Sequence, residues 1–154
     1  MSPTELLHRT HPSHQLVILV AEDDEDDREL VRAAFDDAEL PGEVRFVTDG
    51  QALLDYLRVE GRHTATQRPV IILLDINMPR KDGREALAEL KADQDLCEIP
   101  VVMLTTSSDE EDIRRSYRLG ASSFITKPTT YAGLVEAMRN FADYWFELVA
   151  LPQP

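Results

Sequence analysis

The sequence has little of what would cross-link it, sink it in a membrane or hold it on nucleic acid. One of its 154 residues is cysteine, Cys97. No intrachain disulfide can form, which suits the reducing cytosol. Cys97 stands in the stretch before Pro100 without a thiol partner and reads as inert. No apolar run approaches the ~20 residues of a membrane span. The opening MSPTELLHRTHPSHQ has no apolar signal core. These absences predict a cytoplasmic chain with no membrane partner. Basic residues are outnumbered, 16 against 29 acidic, for a net charge of −13 and a pI near 4.6. No lysine or arginine cluster stands out, so nucleic acid and anionic surfaces should be repelled. The length fits one core and leaves no room for a DNA-binding effector domain.

What is present is a regular alternation. Residues 1–14 are polar with two prolines and predict a flexible tail. His8, His11 and His14 recur there at three-residue spacing, but nothing else supports a metal site. QLVILVA (15–21) is a short aliphatic run, as a buried strand requires. Leu30, Val31, Ala34, Phe35 and Ala38 fall at helical spacing before Pro41-Gly42 stops them. EVRFV (43–47) alternates like a strand, and 49–58 is helical with Leu53, Leu54 and Leu57 on one side. The polar stretch 59–69 reads as a loop. VIILLD (70–75) and PVVMLT (100–105) are further apolar strands, with a helix over 83–92 between them. A weak helix over 109–119, anchored by Ile113 and Tyr117, precedes the short strand SFIT (123–126). A long helix from 130 to 149 closes the pattern. Five βα units with strands buried on both faces imply an α/β fold around a parallel sheet. In such sheets the working site lies at the carboxyl ends of the strands.

Those ends carry a specific set: Glu22-Asp23-Asp24, Asp75, Thr105-Thr106-Ser107 and Lys127-Pro128. Two carboxylates ~4 Å apart repel by about 4 kcal/mol at an effective dielectric near 20. Crowding them should raise the pKa of at least one when no metal is bound. A hard divalent cation relieves the repulsion, and Mg²⁺ is bound in this way, through one or two carboxylates plus phosphate oxygens. Lys127 adds a second positive charge and Thr105 a hydroxyl donor. Together they suit the equatorial oxygens of a transferring phosphoryl group, with an aspartate as nucleophile. Each piece has a plainer reading. EDDEDD (22–27) could be the acidic first turn of a helix, Asp75 a turn residue, Ser107 or Ser108 an N-cap, and Lys127-Pro128 a strand exit. One site accounts for four strand ends together.

ILVAEDD (18–24), LLDINMPRKDG (73–83), VVMLTTS (101–107) and SFITKP (123–128) resemble the receiver domains of two-component response regulators, in order and spacing, over roughly 15–149. The resemblance implies a flavodoxin-like (βα)5 fold with strand order 2-1-3-4-5, a receiver domain over 15–150 with an extended last helix, and a tail over 151–154. It implies that Asp75 is the phosphoacceptor, and that Asp23, Asp75 and the Asn77 backbone carbonyl hold Mg²⁺. Glu22 would hold metal waters or bind at the periphery. Thr105 and Lys127 would contact the phosphoryl group, Phe124 would be the aromatic switch, and Pro128 would follow a cis bond. Output would leave through the face built from the fourth helix, fifth strand and fifth helix.

Residues 84–113 and 141–152 are similar to single-domain regulators that pair with bacterial and cyanobacterial phytochromes, as is the polar insertion at 59–69. That subgroup implies a phytochrome-type sensor histidine kinase as phosphodonor, and homodimerisation through the chain's end. Leu134, Met138, Phe141, Trp145 and Leu148 share the core stripe of the last helix. Tyr144, Phe146, Val149 and Leu151 lie partly off it and, with Trp145, are the candidate dimer interface; alternatively they cover the core. Two rival functions stay open. A Mg²⁺-dependent aspartyl-phosphate phosphatase would need a general acid where Asn77 stands, and a substrate cap. A pure binding module would leave Asp75, Thr105 and Lys127 without a purpose.

Overall fold

The computed structural model describes residues 16–60 and 68–152. The histidines of the tail and most of the 59–69 stretch lie outside the described residues. Strands β1 (Val17–Ala21), β2 (Glu43–Val47), β3 (Ile71–Leu74), β4 (Val101–Thr105) and β5 (Ser123–Thr126) form one parallel sheet in the order β2-β1-β3-β4-β5. Helices α1 (Glu25–Asp37), α2 (Gly50–Asp55), α3 (Gly83–Ala92), α4 (Glu110–Arg118) and α5 (Tyr131–Ala142) alternate with them. A wide π turn, Tyr56–Glu60, extends α2, and another, Asp143–Leu148, extends α5.

Burial follows the strand pattern. Every residue of β1, β3 and β4 is buried, whereas the edge strands β2 and β5 are not. Alternate side chains feed two cores. Leu19, Ile72, Leu74 and Met103 meet Leu53, Leu54, Leu87 and Leu90 on one face. Ile18, Val20, Ile71, Leu73, Val102 and Leu104 meet Phe35, Leu134, Met138 and Phe141 on the other. Each fully buried Leu or Phe contributes about 1.5–3 kcal/mol.

Asp24, Asp49, Asp82, Asp109 and Thr130 cap the five helices, each accepting a first-turn N–H. So the cap of α4 is Asp109, not Ser107 or Ser108. A shorter side chain two residues earlier is spent elsewhere: Ser107 Oγ donates to Asp112 at 2.7 Å.

Three apolar placements differ from expectation. Leu30 and Tyr117 are about half exposed, and Leu148 is 74% exposed. For Leu148 the π turn is the reason. It takes more residues per turn than an α-helix, so Phe146 rather than Trp145 falls in line with Phe141, ring edge to ring at 6.1 Å. Leu148 is carried outward.

Candidate functional site

The acidic run after β1 is split between two jobs. Asp24 caps α1, and Glu25, Asp26 and Asp27 occupy its first turn, where the helix dipole favours them. Glu22 and Asp23 stay at the strand end. Arg28 reaches back from α1 and donates through Nη1 to the carbonyls of both, at 3.1 and 2.9 Å. β3 delivers Asp75 beside them, its N–H bonded to Ala21 O at 3.1 Å. Gly83 closes the loop that follows. Its N–H donates to Ile76 O at 2.8 Å, and a Cβ there would stand 2.0 Å from Asp75 O, so only glycine fits.

One ligand oxygen from each of Glu22, Asp23 and Asp75 lies within 4.8 Å of the others. Glu22 and Asp75 are buried, Asp23 is exposed. Lys127 arrives from the end of β5. Its Nζ donates to Glu22 Oε2 at 2.8 Å and lies 3.5 Å from Asp27 and 3.9 Å from Asp75 Oδ2. Among the described residues, Asp75 Oδ1 is buried with no hydrogen-bond partner. A buried carboxylate oxygen left in this state is costly, and a cation held by the three acids would offset that cost. The donor set, all carboxylate oxygen, fits a hard divalent ion.

Burial first, and the neighbouring Asp75 carboxylate second, push the Glu22 carboxyl up to about 7, with Lys127 opposing. For Lys127, burial works against the charge, but the pair with Glu22 outweighs it and holds the ammonium above its ordinary value. The crowded acid of the sequence reading is therefore Glu22.

Thr105 is fully buried at the end of β4; its Oγ1 accepts a long bond from Ser107 N–H at 3.5 Å. Phe124 is half-buried in β5 against the first core. Asn77 is exposed in the loop after Asp75.

The Response regulator receiver domain model matches residues 18–139. The chain belongs to the response regulator receiver family. The chain is 40% identical over 136 residues to the response regulator Rcp1 of Synechocystis sp., covering 88% of this chain and 92% of that one. The solved structure of the phosphorylated cyanobacterial phytochrome response regulator RcpA superposes with a TM-score of 0.80 at 38% identity, covering 89% of this chain and 98% of that one. The Mn(2+)-bound form of Rcp1 superposes at 0.78 with 39% identity, covering 89% and 99%. Receiver domains bind divalent metal, and this receiver's acidic cluster fits one.

One expectation from the resemblance is corrected. No described peptide bond is cis, so the bond before Pro128 is trans. Trans is the favoured form of an X–Pro bond by about 0.5–1 kcal/mol. With it Lys127 is already anchored at both ends, its N–H on Thr105 O at 2.7 Å and its Nζ on Glu22.

The candidate dimer residues divide. Trp145, Phe146 and Leu151 pack against the receiver's own second core, and Val149 is half-buried. Tyr144 is 49% exposed. Beside it Leu148, assigned to the core by its spacing, is open to solvent.

Several residues around the site escaped the sequence reading. Arg28 could not be told from an ordinary helix charge. Arg84 on α3 pairs with Asp112 on α4 at 3.0 Å, and Asp112 also holds Ser107. Asp49 carries two Arg80 contacts. Only the position of Asp49 ahead of Gly50, as a helix start, was visible.

Proposed function

We propose that this chain is a stand-alone cytoplasmic response regulator that accepts a phosphoryl group from a phytochrome-type sensor histidine kinase onto Asp75, in a Mg²⁺-dependent reaction. The observation that carries the reading is the buried, unpaired Asp75 Oδ1 beside Glu22, Asp23 and Lys127. An Asp75 carboxylate oxygen forms the new P–O bond as the P–N bond of the phosphohistidine breaks. The imidazole nitrogen keeps the electron pair. Bound Mg²⁺ supplies positive charge to the phosphoryl oxygens; Asp23, Asp75 and the Asn77 carbonyl would hold it, with Glu22 at the periphery. Lys127 neutralises charge on the other side, and the Thr105 hydroxyl donates to a phosphoryl oxygen. Such charge stabilisation is the main protein contribution to phosphoryl transfer.

The likeness to Rcp1 and RcpA supports a phytochrome-type donor. Output passes through the α4-β5-α5 face by way of Thr105 and Phe124. The exposed apolar end at Tyr144 and Leu148 supports a homodimer. The test is phosphotransfer from the phosphorylated histidine domain of a phytochrome kinase. Label should move to the wild type within minutes with Mg²⁺ and stay on the kinase with a chelator. Equal transfer with the chelator present would end the metal-dependent reading. Transfer from unrelated histidine kinases at the same rate would end the phytochrome assignment.

A further inference from the structure

In the loop from Asn77 to Asp82, Met78 is buried in the first core and Lys81 pairs with Glu89 on α3, while Asn77, Pro79 and Arg80 are exposed. Its exposed tip is tied twice more, to the turn between β2 and α2. The first is backbone. Gly50 N–H donates to Lys81 O at 3.0 Å. The approach is so close that a Cβ on Gly50 would stand 2.4 Å from that oxygen.

The second tie is ionic. Asp49 is 5% exposed. Its Oδ1 accepts Ala52 N–H at 2.8 Å and caps α2. Its Oδ2 accepts both Arg80 Nε at 3.0 Å and Arg80 Nη2 at 2.7 Å. Burial raises the cost of this charge, and the Ala52 N–H and the Arg80 guanidinium more than offset it, holding the carboxyl below its usual range.

Arg80 has φ +62°, a left-handed conformation that a non-glycine side chain rarely adopts. Lys81 N–H bonds Pro79 O at 2.7 Å and closes a tight three-residue turn centred on Arg80 itself. A strained loop residue persists where its surroundings over-determine it. Here the guanidinium fork on Asp49 Oδ2 acts beside the Pro79–Lys81 and Gly50–Lys81 backbone bonds and is the side-chain contact among them. Since Gly83 seals the other end of the loop against Ile76, the segment between is held from both sides.

We infer that Asp49 and Arg80 form a clamp that positions the Asn77 loop for divalent-metal binding beside Asp75, acting on the metal site without touching it. The inference rests on the reading of Asp75 as a Mg²⁺-dependent acceptor and adds two positioning residues to it.

The test uses the full chain, with MgCl₂ titrated by calorimetry and acetyl phosphate labelling followed at several Mg²⁺ concentrations. Arg80 is the main probe because its side chain is 64% exposed and can be cut back without opening the core. Arg80→Ala should raise the Mg²⁺ Kd about three- to tenfold, below the effect of a direct outer-shell partner. Its labelling rate should return to the wild-type value at saturating Mg²⁺. Arg80→Lys, which restores one donor, should fall between. Asp49→Asn should match Arg80→Ala, and the double variant should be no weaker than either single one, since the two act as one contact.

A wild-type Kd in Arg80→Ala, with wild-type protein that binds Mg²⁺ and takes label, overturns the clamp alone. So does additive loss in the double variant. A wild-type chain that neither binds Mg²⁺ nor takes label overturns the acceptor reading, and the clamp with it. If Asp49→Asn does not fold, Arg80→Ala and Arg80→Lys still decide the question.

Discussion

Helices α3 and α4 each follow a loop of the acidic rim, and they are held by opposite means. Helix α3, after the Asp75 loop, buries Ala86, Leu87 and Leu90 in the first core. Helix α4, after the Thr105 loop, buries Ser116 and no apolar side chain. Its ties are polar: Arg84 to Asp112 and Ser107 to Asp112, while Ser116 Oγ bonds Asp112 O at 2.8 Å within the helix itself. Two buried leucines outweigh a partly exposed ion pair, at about 1.5–3 kcal/mol each against about 1 kcal/mol or less. The Asp75 side is therefore the fixed side. The Thr105 side is cheap to move, as regions with few buried apolar contacts generally are. The proposed phosphoacceptor role would use both: a rigid Asp75 side, and a neighbour whose position a few new contacts can change.

The largest expected effect sharpens that contrast. Leu87→Ala should cost about 2–5 kcal/mol by leaving a cavity, while Tyr117→Ala on α4 should cost about 0.5 kcal/mol or less. Denaturant melts of the two variants compare them directly. A Tyr117→Ala loss as large as that of Leu87→Ala would erase the distinction.

The rim supplies the next effect. The Glu22 carboxyl is raised from 4.5 to about 7 in the folded chain. The folded state thus binds more protons than the unfolded state between those values. This contribution to stability is fully present below pH 4.5 and is lost as pH rises through 7. At pH 8 without metal the charged, buried Glu22 is a cost. Glu22→Gln should stabilise the metal-free chain there by about 1–3 kcal/mol and flatten its pH dependence between 5 and 8. Saturating Mg²⁺ should narrow the difference, because the ion binds only the folded site. A variant less stable than wild type at pH 8 would mean that the Lys127 pair dominates the cluster.

The π turn at the chain's end gives a subtler comparison. Leu148→Asp should leave the melting transition within about 0.5 kcal/mol of wild type and, if the chain forms the proposed homodimer, shift it to monomer in light scattering. Phe146→Asp, facing the core, should unfold the end of α5 instead. If Leu148→Asp leaves the mass of the wild-type dimer unchanged, the exposed end is not the interface.

Smallest of all, Arg84→Ala should lower global stability by about 1 kcal/mol or less and speed hydrogen exchange across α4, leaving α3 protected. Equal loosening of both helices would argue that they move as one.

The sheet was legible because β1, β3 and β4 are continuous apolar runs; their ends pointed to Glu22, Asp23, Asp75 and Thr105, and the end of β5 to Lys127. What the residues could not disclose is phase and partnership. The stripe of α5 follows α-helical spacing on paper, and one π turn exchanges Leu148 for Phe146. Tyr117 reads as an anchor, but α4 turns Ser116 inward. Asp49 and Arg80 stand 31 residues apart, and only the fold makes them a pair. The trans bond before Pro128 was equally out of reach, since a small energy separates the two isomers. A charged residue's neighbours across the sheet leave no periodic trace, whereas burial does.

The central claim is that Asp75 accepts a phosphoryl group in a Mg²⁺-dependent reaction. Incubation with acetyl phosphate and Mg²⁺, followed by intact-mass and peptide mass spectrometry, tests it most directly. One phosphoryl group should appear on the peptide containing Asp75, and it should be absent from Asp75→Asn and from wild type treated with a chelator. Label of equal extent on Asp75→Asn, or none on the wild type at saturating Mg²⁺, would contradict the account.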